Sequence, residues 1–317
     1  MAMTADEHES LWEAVRDRNA NWRPGHNTIT DLDPGERRLR LGYRPGPDEP
    51  SLAQRETLSA AHHIVADVVA EATPYPIAID WRDVNGKNYV SGIKDQQSCS
   101  SCVAFGTVAT MESRARLLSK VPLNASSGRA LPDLSEAHLF YCGNQSNDPC
   151  AYGWWPTAAL ECARLTGVVP EICFPYTPGN QPCEPCSGAT EMLTRVGEWH
   201  AITNIKEMKR WLATNGPLIT CFTIYSDFYA YTGGVYVHVS GASEAGHCVS
   251  CVGYDDERRA WLCKNSWGTG WGEGGFFWIG YGQCGIDATM WAVDNFASIY
   301  TAGRRRPSSQ PLGMATA

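Results

Sequence analysis

The sequence predicts an α+β protein with two halves, one mainly helical and one built on an antiparallel sheet, and an active-site cleft between them. The helical half, about residues 95–190, contains an apolar run without proline that begins at Cys102. The sheet half, about residues 191–303, contains short β-branched and aromatic runs separated by turn residues, a pattern typical of strands. A chain of 317 residues with 43% hydrophobic content is long enough to bury a large core.

The run from Cys102 to Lys120 predicts a long helix. Val103, Phe105 and Val108 make its first half apolar almost all round, which is typical of a buried central helix. Cys102 is its first residue and is expected to face solvent through the cleft. A thiol at a helix N-terminus beside an imidazolium has a lowered pKa and reacts as the thiolate, so Cys102 is a candidate nucleophile.

Five strands are expected in the sheet half, and two of them carry polar side chains at an end. The predicted strands are Leu218–Phe222, Gly234–Val239, Cys248–Tyr254, Trp261–Asn265 and Gly275–Ile279. His247 precedes the third strand and Asn265 ends the fourth. A neutral amide can accept a hydrogen bond from one imidazole nitrogen, and the other nitrogen then faces the sulfur.

Gln96, six residues before Cys102, completes a set of four groups. Thiol acyl transfer needs a nucleophile, a base, a group that orients the base and a donor for the oxyanion. Cys102, His247, Asn265 and Gln96 supply these parts in that order. Acyl-transfer chemistry is therefore the predicted activity.

The motifs around these residues resemble those of the papain-like cysteine proteases, and they occur in the same order. The matching runs are Gln96 to Cys102, Gly246-His247, and Lys264-Asn265-Ser266-Trp267-Gly268. Ile79-Asp80-Trp81-Arg82 resembles the start of a mature enzyme, and other runs resemble cathepsin B-like peptidases most. The resemblance implies a papain-like two-subdomain fold and a cysteine endopeptidase without a cofactor.

The resemblance also implies a role for each site residue. Cys102 is the nucleophile, His247 the general acid/base and Asn265 the residue that orients it. Gln96 donates to the oxyanion beside the backbone N–H of Cys102, and Trp267 shields the His–Asn hydrogen bond from water.

Two further residues are implied in substrate binding. Gly153 is expected to pair its backbone with extended substrate. Thr289 is expected at the floor of the pocket for the second residue before the scissile bond, and its lack of charge predicts apolar or aromatic preference. The run from Cys173 to Cys186 is short and has no histidine, so the histidine-containing occluding loop of cathepsin B has no counterpart and an endopeptidase is expected.

Departures from the family pattern motivate one of the two alternatives, the catalytically silent homologue. Val103 replaces an aromatic residue, and Ser100, Gln97 and Tyr152 replace glycines. These changes alter the cleft walls without removing a group that bonds or transfers protons. The alternatives are a catalytically silent binding homologue and a peptide ligase or cyclase that uses the same acyl-enzyme.

The chain has thirteen cysteines, and the resemblance implies that some form disulfides. Cys99 is expected to pair with Cys150, and Cys142 with one of Cys173, Cys183 or Cys186. Cys183 and Cys186 have the spacing of zinc ligands, but no second pair is well placed, so no metal site is predicted. Many cysteines indicate an oxidising compartment, whereas no secretory signal is recognised at the N-terminus, so the compartment stays open.

Three segments are expected along the chain. Residues 1–75 are interpreted as a propeptide-like N-terminal segment with helices at Glu7 to Asn21 and Ser51 to Ala70. This segment is expected to block the cleft, the alternative being a permanent extension packed on the body. Residues 76–303 form the peptidase domain, and residues 304–317 are predicted to be a disordered tail.

Charge and hydropathy exclude other classes of partner. A net charge of −8 argues against a nucleic-acid surface. No apolar run reaches the roughly 18 residues that a membrane span requires. The expected partners are peptide or protein substrates and the chain's own N-terminal segment, and the expected oligomeric state is a monomer.

Overall fold

The computed structural model describes residues 3–68, 75–125, 131 and 133–301, and it has the predicted α+β architecture. The predicted tail, residues 304–317, lies outside the described residues. The helices are α1 Ala5–Asp17, α2 Pro34–Arg38, α3 Leu52–Val68, α4 Cys102–Ser119, α5 Pro149–Tyr152, α6 Pro156–Leu165 and α7 Ile205–Thr214.

Helix α4 is the buried central helix that the apolar run predicts. It begins at Cys102 and ends where Lys120 adopts a left-handed conformation. Gly106 faces the strand Ser243–Asp255 (β7), and a Cβ there would lie 3.2 Å from the Val249 backbone. The Thr110 hydroxyl lies 2.8 Å from that of Ser250 on the same strand. These contacts fix the start of α4 against the sheet.

The sheet half contains the five predicted strands with shifted ends. The strands are β1 Trp22–Pro24, β2 Ala78–Asp80, β3 Arg195–Val196, β4 Trp199–Ile202, β5 Leu218–Tyr225, β6 Tyr231–Tyr236, β7 Ser243–Asp255, β8 Ala260–Lys264, β9 Phe276–Gly280, β10 Met290–Val293 and β11 Phe296–Ser298. The main sheet has the order β1-β6-β9-β8-β7-β5-β10-β4, and β2 also pairs with β7. Its pairs are antiparallel except β6 with β9, which is parallel.

Strand β7 is longer than the sequence indicates. It begins at Ser243, so His247 lies inside the strand, opposite Phe222 of β5, rather than before it. The residues before His247 include serine, glutamate and glycine, which hide strand structure from an apolar pattern. Pairing with β5 fixes the histidine backbone, whereas β8 pairs with β7 only from Ser250 onward.

One apolar cluster joins the two halves. It contains Val103 and Val108 of α4, Ile219 of β5 and Trp291 of β10, all buried. A second cluster joins the sheet half to the N-terminal segment, and a smaller third one contains Val252, Leu262 and Trp278 on another part of the sheet. Across the described ranges, no helix is both long and apolar enough to cross a membrane.

Three disulfides brace the helical half. Cys99 pairs with Cys150, as the resemblance implies. Cys142 pairs with Cys183, one of its three candidates, and Cys173 pairs with Cys186. Cys183 and Cys186 therefore belong to different disulfides, and Cys102 is a free thiol.

The described part of the N-terminal segment crosses both halves. Helix α1 is shorter than predicted and buries Leu11 and Val15. Strand β1 adds to the edge of the main sheet beside β6. Helix α3 packs on the turn Gln283–Gly285 and on β5. The chain between α2 and α3 runs over the start of α4.

Candidate active site

Cys102 lies at the first position of α4 and is completely covered. The sequence predicted that it would face solvent, and this expectation is wrong for the closed structure. The backbone N–H of Gly42, from the N-terminal segment, donates to the Cys102 Sγ at 3.2 Å. The N-terminal segment thus contributes to covering the thiol.

His247 and Asn265 form the expected pair. The His247 Nε2 lies 2.8 Å from the Asn265 Oδ1. The backbone N–H of Ser266 donates to the same oxygen at 2.8 Å, which fixes the amide with its oxygen toward the ring. Nε2 must therefore carry the proton, and in the neutral ring Nδ1 is left as an acceptor. Nδ1 is buried and without a hydrogen-bond partner among the described residues.

Trp267 lies over this pair. Its side chain is buried, and its ring centroid is 4.8 Å from that of His247. A large apolar ring at this distance excludes water from the His–Asn hydrogen bond and strengthens it. This arrangement fits the shielding role that the resemblance implies.

Gln96 is held in one orientation beside the nucleophile. The Ser266 hydroxyl donates to the Gln96 Oε1 at 2.7 Å, and the Gln96 Nε2 donates to the Cys99 carbonyl at 2.8 Å. A primary amide has two N–H groups, and the bond to Cys99 uses one. The other can donate to an oxyanion at Cys102.

The N-terminal segment occupies the cleft as an extended chain. The Trp154 N–H donates to the Gly42 carbonyl at 2.8 Å, and the Arg44 N–H donates to the Trp154 carbonyl at 3.0 Å. On the other wall the Tyr43 N–H donates to the Gly246 carbonyl at 3.0 Å. The segment is therefore bonded to both halves of the cleft.

Gly153 makes room for this pairing without making the hydrogen bonds itself. Its φ is +69°, and a Cβ at Gly153 would lie 2.1 Å from the Gly42 carbonyl oxygen. Trp154 supplies both backbone bonds to the segment. The pairing of Gly153 with substrate stays a prediction, and in the closed structure its neighbour is the hydrogen-bonding residue.

A family model described as papain family cysteine protease matches residues 75–293. The chain belongs to this family. The protein is therefore a cysteine-type peptidase, and both the family and the α+β fold that the sequence predicted are confirmed. The matched range begins where the predicted N-terminal segment ends.

Relatives of this papain-family peptidase include cathepsin B-like proteins. Cathepsin B-like CP3 of Giardia intestinalis is 32% identical over 229 residues, which cover 68% of this chain and 73% of the relative. Cathepsin B-like cysteine proteinase 5 of Caenorhabditis elegans is 28% identical over 319 residues, with 88% of each chain covered.

Solved structures of precursor forms share the fold. ProCathepsin B S9 from Trypanosoma congolense superimposes with a TM-score of 0.72 at 21% identity, covering 93% of this chain and 99% of that one. Procathepsin L2 from the Tenebrio molitor larval midgut gives 0.71 at 24% identity, covering 90% and 88%. At these identities the likeness supports the fold.

The closed cleft of this papain-family peptidase disfavours the charged form of the catalytic pair. Burial raises the pKa of the Cys102 thiol, and hydrogen bonds from the Cys248 and Gly42 N–H groups offset this only in part. Burial also lowers the pKa of His247 to about 4, although the bond to Asn265 acts in the opposite direction. While the segment is in place, the pair is a neutral thiol and a neutral imidazole.

Thr289 lies at the base of a pocket that is already filled. Thr289 is buried, and its carbonyl accepts a hydrogen bond from the Arg55 Nη2 at 3.2 Å. The sequence predicted an apolar or aromatic occupant for this pocket. In the closed structure the occupant is a guanidinium from α3.

Sequence reasoning missed the contacts that hold the segment. Arg55 and His63 look like the polar face of an amphipathic helix, and Gly42 lies in an irregular stretch. The structure places His63 Nε2 2.7 Å from Asp287, a buried carboxylate that also accepts from Ser59 and from Trp261. Burial alone would raise the pKa of Asp287, but these hydrogen bonds hold it below its ordinary value. No local signal identifies such partners, because they are distant in sequence.

Replacing Gln96 with alanine is expected to lower kcat about 100-fold with little change in KM, because one oxyanion donor is lost. Steady-state peptide hydrolysis by the processed enzyme measures both constants. Gln97→Gly is the matched control, because Gln97 is exposed and its φ of +52° suits glycine. Equal kcat values for Gln96→Ala and Gln97→Gly would contradict the role of Gln96.

Proposed function

We propose that this protein is a cysteine endopeptidase made as a zymogen. One observation carries the proposal: the N-terminal segment covers the free thiol of Cys102 through Gly42, and its next residue, Tyr43, bonds to Gly246 beside the oriented His247. The site has the groups that cleave peptides, and the segment blocks their access to substrate.

The catalytic cycle begins when the segment leaves the cleft. Water then reaches Cys102 and His247, and the thiol proton passes to Nδ1 to give a thiolate and an imidazolium. The helix N-terminus at Cys102 stabilises the thiolate. Sulfur attacks the peptide carbonyl, and the oxyanion accepts hydrogen bonds from Gln96 and the Cys102 N–H.

His247 completes both halves of the reaction. The imidazolium donates its proton to the leaving amine, and the acyl group stays on sulfur as a thioester. Neutral His247 then takes a proton from water, which attacks the thioester and releases the acid. Asn265 keeps the ring in one orientation throughout, because its oxygen accepts from Nε2.

Endopeptidase activity is the form that the cleft supports. The segment closed by the Cys173–Cys186 disulfide has no histidine to bind a substrate carboxylate. The N-terminal segment passes through the cleft and continues in both directions, to β1 on one side and to α3 on the other. A cleft that accommodates a continuous chain can bind the interior of a polypeptide.

Thiol labelling combined with product analysis tests the proposal. The full-length protein is incubated at acidic pH to permit processing, and Cys102 is then titrated with the epoxide E-64. We expect hydrolysis of internal peptide bonds in proportion to labelled thiol, and neither labelling nor hydrolysis in Cys102→Ser.

Mass spectrometry of the products distinguishes the alternatives. Free acids indicate hydrolysis, whereas products joined to an added amine indicate a ligase or cyclase. Equal hydrolysis by Cys102→Ser would overturn the proposed nucleophile. Absence of both labelling and hydrolysis in the wild-type protein would indicate a catalytically silent homologue.

A further inference from the structure

Arg55 is a buried arginine of the N-terminal segment that reaches into the peptidase body. Only 1% of its surface is exposed. Its Nη2 donates to the Cys221 carbonyl at 2.7 Å and to the Thr289 carbonyl at 3.2 Å. Cys221 lies on β5, opposite Cys248, and Cys248 follows His247. The pocket that holds Arg55 is therefore next to the catalytic histidine.

Aromatic rings complete the surroundings of this guanidinium. The Arg55 Cζ lies 5.4 Å from the ring centroid of Trp291 and 5.4 Å from that of Tyr43. Trp291 belongs to β10 of the peptidase body, whereas Tyr43 belongs to the segment. Among the described residues, no carboxylate forms an ion pair with Arg55. Carbonyl oxygens and ring faces therefore hold this cation.

An apolar pocket would not retain such a side chain. A buried cation without compensation is strongly unfavourable, yet two other donors of Arg55, Nε and Nη1, are buried and have no hydrogen-bond partner in the described part of the chain. A guanidinium is weakly hydrated and planar, so it stacks on aromatic faces and gives up its water more readily than an ammonium does. The carbonyl oxygens of Cys221 and Thr289 and the face of Trp291 are fixed parts of the sheet half and remain when the segment leaves.

We propose that this pocket is a subsite for an arginine side chain of the peptide substrate, which Arg55 occupies in the closed chain. The inference rests on the proposed peptidase function and assigns its substrate class. The Thr289 and Cys221 carbonyls and the Trp291 ring bind the guanidinium without a carboxylate. In the open cleft, water can bind those N–H groups of a substrate arginine that correspond to the unpaired donors of Arg55. A substrate arginine therefore avoids the cost of burying them without partners. The lack of charge on the Thr289 side chain does not make the pocket apolar.

Peptides that differ only at the second residue before the scissile bond test the assignment. The full-length protein is processed and its active thiol titrated with E-64, so that rates are expressed per active site. We expect kcat/KM for arginine to exceed that for leucine by about tenfold, and lysine to be poorer than arginine. A leucine peptide cleaved as well as the arginine peptide, or better, overturns the subsite. Failure to cleave any peptide, together with no E-64 labelling, overturns the peptidase function itself.

Two variants of Trp291 examine the role of its ring. Trp291→Leu is expected to bring the arginine-to-leucine ratio close to one, whereas Trp291→Phe keeps a ring and part of the preference. A ratio measured per active thiol does not depend on the fraction of protein that folds. An unchanged ratio in Trp291→Leu contradicts the proposed contact.

The uncleaved chain gives a second test that needs no substrate. In Arg55→Leu the pocket holds an apolar side chain of the segment. If the pocket prefers guanidinium, the segment binds more weakly, and E-64 labels Cys102 about tenfold faster than in the parent chain. Slower labelling in Arg55→Leu shows an apolar pocket and overturns the inference. Gln54→Leu, on an exposed neighbour of the same helix, is the control.

Discussion

Replacing Gly42 with alanine is expected to release the N-terminal segment from the cleft. A Cβ at Gly42 would lie 1.9 Å from the Ser100 carbonyl oxygen, and its nearest atoms are all backbone. The loop that carries Ser100 cannot withdraw freely, because Cys99 and Cys150 tie it by a disulfide. Overpacking against fixed backbone costs about 3 kcal/mol, so the segment should bind about 100-fold more weakly.

The rate at which E-64 labels Cys102 in the uncleaved chain measures this release. Gly35→Ala is the matched control, because Gly35 lies in α2 and a Cβ there meets only the Asp33 side chain. We expect fast labelling in Gly42→Ala and parental labelling in Gly35→Ala. Equal rates in the two variants would mean that Gly42 does not control access to the thiol.

Acid is expected to open the cleft through His247. In the closed structure burial lowers the pKa of His247 to about 4, against an ordinary value of 6.5. In Cys102→Ser no thiol can supply the proton, so when the segment leaves and water reaches the ring, the open form binds a proton from solution that the closed form does not. Opening is therefore favoured progressively as the pH falls from about 6.5 to about 4, and the gain ends below the closed-form pKa. The full shift is worth about 3 kcal/mol, or roughly 300-fold in the opening equilibrium.

Hydrogen exchange of the Gly42 and Tyr43 amides measures this equilibrium when corrected for intrinsic rates. Cys102→Ser is the background, because it cannot process itself. We expect protection of these amides to fall between pH 6.5 and pH 4, and to depend less on pH in the double variant that adds His247→Gln. The His63–Asp287 pair also lies between the segment and the peptidase body. It is present in both the single and the double variant, so comparing them removes its contribution to the pH dependence. Identical pH profiles would exclude His247 as the acid-sensitive group.

Much of the catalytic site could be predicted from the sequence because its residues lie in local patterns. Cys102 begins an apolar helix, and His247 and Asn265 flank short buried strands, so each position has a structural signature. The structure brings His247, Asn265 and Trp267 into contact, and Ser266, which follows Asn265, bonds to Gln96. The length of β7 was underestimated, because polar residues and a glycine precede His247.

The closed state could not be predicted in the same way. Whether Cys102 is exposed depends on where Gly42 lies, sixty positions earlier in the chain. The sequence could show only that the Thr289 side chain is uncharged. The groups that bind Arg55 are backbone carbonyls and an aromatic ring. Carbonyl groups are common to all residues, so only the fold shows where they converge.

The connection between Gly42 and α3 has a consequence for how inhibition ends. The extended chain at Gly42 and helix α3 bind the peptidase body at two places and are joined by a short linker. When one of them is bound, the other is held near its own site at a high effective concentration, roughly millimolar for a short flexible link. A single cut between Arg44 and Ser51 would make the chain before the cut a separate peptide, whereas α3 would stay covalently joined to the peptidase domain. The separate peptide, which includes Gly42, would then dissociate on dilution, so the thiol would become accessible at low protein concentration.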